Sequence, residues 1–175
     1  MFNSAAAVFL SVTTLDGELA RKMEPRASTP QMRLEAIRLL AEAGVPVGVL
    51  VAPVIPGLTD HEIISIVSGA ARAGARYAGY VVLRLPHGVA ELFQEWLQRH
   101  FPDRKNKVLS HIRDVRGGKL NESQFGARMR GEGVFSKQVQ AMFAVACRRA
   151  AIYGRSPQLS TEAFRRPGSQ LALFE

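Results

Sequence analysis

Ser11 and Thr13 stand two residues apart near the end of the apolar segment Ala7 to Thr14, so on an extended chain their hydroxyls point the same way. Two hydroxyls so placed are either ordinary strand residues or a pair able to hold a sugar or a carboxylate. A second stretch, Ala52 to Gly57, ends an apolar run in prolines and glycine. Such a bend is either a rigid connection or a set of free backbone groups suited to an adenine-like edge. Arg84 lies between Leu83 and Leu85 in an apolar segment, where a charge requires an anionic or carboxylate partner. The familiar catalytic signatures, a glycine-rich phosphate loop, a paired-histidine metal spacing and a nucleophile elbow, are missing. His61, His87, His100 and His111 lack ligand spacing and read as surface or capping residues, so no metal site is expected.

These groups need elements to position them. Val45 to Ile55 is apolar enough to be a strand buried on both faces, the condition of a central strand in a parallel sheet. Thr59 and Glu62 have capping-box spacing, which predicts a helix with Ile63, Ile66, Val67 and Ala70 on one face. Ala7 to Thr14 reads as an earlier strand that ends at the turn signal Leu15-Asp16-Gly17. Ser28-Thr29-Pro30 then caps a helix carrying Leu34, Ile37, Leu40 and Ala41, which closes at Gly44. A third strand spans Tyr77 to Leu85. Strand, helix, strand, helix, strand is the pattern of right-handed crossovers on a parallel sheet, whose carboxyl ends are where ligands bind.

After Gly88 the alternation stops. Helices are predicted over Val89 to His100 and Lys105 to Val115, with the sheet as their packing partner, and a basic, glycine-rich loop spans 117–133. Ser136 caps a last helix with Val139, Met142, Phe143, Ala146, Cys147 and Ala150 on its apolar stripe. Cys147, the single cysteine, reads as a small buried hydrophobe in preference to a reactive thiol. The expected organisation is α/β: a half barrel over 1–87, a helical extension over 88–155 and a flexible tail over 156–175.

Hydrophobic residues make up 47% of the 175, enough for one core and too many for a wholly disordered chain. No segment has the length of uncharged apolar sequence that spans a bilayer, the first ten residues do not resemble an export signal, and a cytoplasmic location is expected. The net charge of +8 raises the expectation of a polyanionic partner such as nucleic acid, although a solvated basic surface explains it equally well. The surplus is local, with Arg113, Arg116, Lys119, Arg128 and Arg130 as the candidate nucleic-acid contacts.

Ser11-Val12-Thr13-Thr14-Leu15-Asp16, Met23-Glu24-Pro25-Arg26, Arg33-Leu34-Glu35-Ala36-Ile37, Ala52-Pro53-Val54-Ile55-Pro56-Gly57 and Leu83-Arg84-Leu85-Pro86 together resemble the second half of radical S-adenosylmethionine proteins. Within them the likeness is to the spore photoproduct lyase-like (DNA repair photolyase-like) group. The resemblance implies the second half of a partial (βα) barrel. It implies S-adenosylmethionine contacts from Ser11 and Thr13 near the ribose or methionyl part, Ala52, Val54 and Ile55 along the adenine, Arg33 towards the methionyl carboxylate, and Arg84 and Leu85 on the last strand. It also implies a parent enzyme with a 4Fe-4S cluster held by three cysteines. A chain with one cysteine departs from that pattern and by itself is expected neither to hold the cluster nor to cleave the cofactor. Finally, Gln170, Leu171, Leu173 and Phe174 resemble the short peptide by which DNA repair and replication proteins bind the sliding clamp, which implies that partner or, failing it, a terminus folded onto its own core.

Overall fold

A computed structural model of the chain describes residues 5–120, 131–153 and 157–162. The predicted candidates Arg128, Arg130, Gln170, Leu171, Leu173 and Phe174 lie outside the described residues. Three strands, β1 (Val8–Ser11), β2 (Val47–Val54) and β3 (Tyr77–Val82), form one parallel sheet in the order β1-β2-β3. Helices α1 (Gly17–Met23) and α2 (Pro30–Glu42) connect β1 to β2, and a 3₁₀ turn (Asp60–Glu62) leads into α3 (Ile63–Arg72), which connects β2 to β3. Then come α4 (Val89–His100), α5 (Pro102–Val115) and α6 (Gly133–Arg149).

The register places Phe9, Gly48 and Tyr77 side by side, and likewise Ser11, Leu50 and Gly79. Because side chains alternate, one face of the sheet therefore carries Leu10, Val12, Val49, Val51, Ala78 and Val82. That face packs against α2, α3 and α6 in the main core, with Ile37, Ile63, Ile66, Val67, Val139 and Ala146 opposite it. The other face carries Phe9, Ser11, Leu50, Ala52, Tyr77, Gly79 and Val81, and none of these is buried. Phe9 lies across it, 40% exposed, above Gly48, where a Cβ would stand 2.5 Å from the phenyl ring. The predicted burial of β2 on both faces thus holds for one face.

A second core gathers Leu19, Ile55, Leu58, Leu85, Leu97, Val108, Leu109 and Ile112. It lies where α4 and α5 meet α1 and the chain beyond the carboxyl ends of β2 and β3. The expectation that α4 and α5 pack on the sheet is corrected here, since their apolar stripes close over the strand ends. Trp96 joins α4 to the rest by donating from Nε1 to the carbonyl of Lys22 at 2.9 Å, and its ring lies 5.4 Å from that of Phe101.

Three local readings also change. The capping box does not form: Thr59 Oγ1 accepts from the amide of Ile55 at 2.9 Å, and Glu62 turns away to the loop after β1. Asp16, read as a turn, caps α1 by accepting from the amides of Glu18 and Leu19. The final helix begins at Gly133, so Ser136 lies inside it and is buried. By contrast, Thr29 and Pro30 start α2 as the sequence predicts.

Gly74 leaves α3 with φ +101, and an added Cβ would stand 2.6 Å from that of Ala41 on α2. Both the left-handed backbone and the close approach require glycine. Gly74→Ala is expected to cost about 1–3 kcal/mol, read as a lower urea midpoint at unchanged m-value.

Candidate functional site

The carboxyl ends of the three parallel strands collect most of the predicted polar groups. Ser11 Oγ and Thr13 Oγ1 both donate to the carbonyl of Ala52, at 2.7 and 2.9 Å. The shared direction predicted for these hydroxyls is therefore observed, and together they clasp β1 to the end of β2. Each hydroxyl oxygen keeps acceptor capacity after donating its proton. The Ala52–Pro53 peptide is cis, and the pairing of β2 with β3 shifts register between Val51 and Val54.

Arg33 reaches back from α2 to the same corner. Its Nη1 donates to the carbonyl of Ser11 at 2.8 Å, its Nε to that of Ser28 at 3.1 Å, and its Nη2 pairs with Glu24 at 2.7 Å. The guanidinium thus fixes the end of β1 with donors on both of its sides. Glu62 completes the frame, accepting from Thr14 Oγ1 at 2.5 Å and from the amide of Leu15 at 2.7 Å. Neither the Glu24–Arg33 pair nor Glu62 is recognisable from spacing alone, because the partners are brought together across different elements.

Several of the backbone groups at the bend 52–57, predicted to be free, are engaged within the chain. Ala52 O is taken by Ser11 and Thr13, Val54 O by the amide of Leu83, and Ile55 O by the amides of Leu58 and Thr59. The amides of Ile55 and Gly57 bond Thr59 and Asp60. Val54 is sealed in the main core, whereas Ile55 and Leu85 are sealed in the second. The side chains of Val54, Ile55 and Leu85 serve packing.

Arg84 follows β3, which ends at Val82 and not at Leu85, and it is half-buried beside the strand ends. Arg116 departs from the basic surface predicted for it. It is 2% exposed, and its Nη2 donates to the carbonyls of Val82 (3.0 Å) and Leu83 (2.6 Å), tying the end of α5 to the end of β3. Arg113 and Lys119 are exposed, as a basic surface requires.

Beside the strand ends, Asp16, Leu19, Lys22, Leu58, His61 and Phe101 border a cavity of about 500 Å³, completed by Glu18, Glu62 and Arg104. Lys22 Nζ stands 5.4 Å above the Phe101 ring. No group of three or more metal-ligating side chains occurs among the described residues.

Residues 3–68 match the family model of the radical SAM superfamily. An uncharacterized protein of Mycobacterium tuberculosis is 35% identical over 99 residues, which cover 55% of this chain and 29% of that protein. An uncharacterized protein of Acidianus two-tailed virus is 47% identical over 47 residues, 27% of this chain and 16% of the viral protein. An uncharacterized protein of Methanocaldococcus jannaschii is 25% identical over 100 residues, 57% of this chain and 37% of that protein. The chain thus spans about a third or less of the length of these relatives. No solved structure matches.

The superfamily implies a 4Fe-4S cluster with S-adenosylmethionine, and the residues present do not fit the cluster. Cys147, the single thiol, sits on α6 packed against the main core, with no second cysteine in the 175 residues to join it. Burial also pushes its thiol pKa up, against the thiolate a cluster needs. Because burial favours the neutral thiol, alkylation of Cys147 by iodoacetamide at pH 7–8 should run slower than that of a cysteine peptide. Its rate should still be climbing with pH after the peptide's has levelled off, as followed by mass spectrometry.

Proposed function

We propose that this chain is a fragment of a radical S-adenosylmethionine enzyme that acts on nucleic acid, in the manner of the spore photoproduct lyase-like group. The observation that carries the reading is a parallel sheet with Ser11, Thr13 and Ala52 gathered at its carboxyl end, beside a face that no helix among the described residues covers. The superfamily match over residues 3–68 supports it from the sequence side. The hydroxyl oxygens of Ser11 and Thr13 would accept from hydroxyl or ammonium groups of the cofactor, and the clasp on Ala52 would hold them in place before it arrives. Arg33 would act through the Ser11 carbonyl, as a positioning residue. Cysteines for the cluster would have to come from outside these 175 residues. The exposed basic side chains, Arg113 and Lys119 among them, are the contribution to nucleic-acid affinity.

A graft tests the cofactor side. The matching segment of the mycobacterial relative is replaced by this chain, the product is reconstituted anaerobically with iron and sulfide, and S-adenosylmethionine binding is measured by equilibrium dialysis. Binding is expected, with a loss of about tenfold when Ser11→Ala and Thr13→Ala are combined, the scale of one or two hydrogen bonds. Unchanged affinity in the double variant removes these residues from the site, and no binding by either the graft or the relative removes the reading.

The peptide Gln170–Phe174 favours a second reading, a non-catalytic module held on DNA by the sliding clamp. Leu173→Ala with Phe174→Ala should abolish retention on immobilised clamp, since apolar anchors carry such peptides. Equal retention would discard it.

A further inference from the structure

The cavity beside the strand ends is built from parts that suit one kind of ligand. Its floor is apolar, from Leu19 and Leu58, which are 6% and 2% exposed, and Phe101 forms one wall. Its volume of about 500 Å³ falls in the range of small-ligand sites.

The charges around it divide into two sets. Both oxygens of Glu62 are taken, by Thr14 and the amide of Leu15, whereas the exposed Asp16 accepts the amides of Glu18 and Leu19 through Oδ1 alone. The side chains of Glu18, His61 and Arg104 are exposed and enter no hydrogen bond or ion pair among the described residues. The Lys22 ammonium lies over Phe101. What remains available is therefore two cations, the Glu18 carboxylate with Oδ2 of Asp16, and one imidazole around an apolar and aromatic slot. An apolar slot receives a flat ring, the cations receive an anion, and Glu18 and His61 offer an acceptor and a two-way hydrogen-bonding group for a ring edge. A ring with a polar edge joined to an anion is the chemistry of a nucleotide.

We propose that this cavity binds one nucleotide of a nucleic-acid strand, with the base against Phe101 and the leucine floor and the phosphate between Lys22 and Arg104. The inference rests on the nucleic-acid part of the function proposed above and gives it a location. A base must leave its stack to enter such a slot, so the strand is single or locally opened. Exposed Arg21 on α1, Lys107 on α5 and Arg99 on the adjoining α4 would supply charge for further phosphates.

The test measures fluorescence anisotropy of a short labelled single-stranded oligonucleotide against the full chain. It uses Lys22→Glu combined with Arg104→Glu, and, as a control, Arg113→Glu combined with Lys119→Glu. All four side chains are exposed, so both pairs should fold. The cavity pair is expected to lose at least about tenfold in affinity and the control pair clearly less. An oligonucleotide of the same length without bases should bind the wild type about tenfold more weakly, the scale of stacking one base. Equal losses in the two pairs, or equal binding of the strand without bases, would overturn the cavity while leaving nucleic-acid binding intact. If the wild type binds no oligonucleotide, the nucleic-acid reading fails. In that case, nucleoside monophosphate is titrated while the NMR methyl signals of Leu19 and Leu58 are followed. Shifts would retain a site for the free nucleotide, and static signals would end the proposal.

Discussion

A parallel sheet is stable when both faces are covered, and among the described residues helices cover one. That single constraint organises the molecule. Crossovers of the same hand put α2 and α3 on one side, α6 joins them there, and the main core forms between that layer and the inward residues of the strands. Everything polar that matters then collects on the open side or at its carboxyl rim: the clasp of Ser11 and Thr13 on Ala52, the Arg33 bridge to the end of β1, and the half-buried Arg84. Phe9, lying over Gly48 and partly in solvent, shows how incomplete the cover is.

The strands and their direction were legible in the sequence because alternating and continuous apolar runs report burial, and because Thr29-Pro30 and Gly44 punctuate α2 in the ordinary way. The helical stripe of Ile63, Ile66, Val67 and Ala70 was legible for the same reason. Side-chain partners were another matter. Thr59 and Glu62 have the spacing of a reciprocal cap, yet Thr59 is turned to Ile55 and Glu62 to Thr14, since the loop after β1 offers unmet donors that a local pattern cannot see. Arg116 looks like any member of a basic run, and its burial follows from two carbonyls, Val82 at the end of β3 and Leu83 just past it, more than thirty residues earlier. Ile55 and Leu85 were readable as apolar and near strand ends, but whether they face a ligand or a core depends on where α4 and α5 land.

The rim of the sheet is correspondingly a place where packing and ligand contact compete for the same atoms. Much of the backbone hydrogen-bonding capacity at 52–57 is spent within the chain, while the hydroxyl oxygens of Ser11 and Thr13 keep acceptor capacity. A frame of charged groups, Glu24 with Arg33 and Glu62 with Thr14 and Leu15, holds the loop after β1 against both α2 and α3. Rigidity at such a corner is what preorganised binding demands, since less has to be ordered when the ligand arrives.

Trp96 is the single tryptophan of the chain, and it touches Phe93, His100 and Phe101 while its indole N–H holds the carbonyl of Lys22. The molecule consequently carries an intrinsic optical reporter packed on Phe101, which borders the cavity beside the strand ends. Events at Phe101 or at the end of α1 would alter its emission with no dye attached, so the local state of this corner can be watched in the native polypeptide.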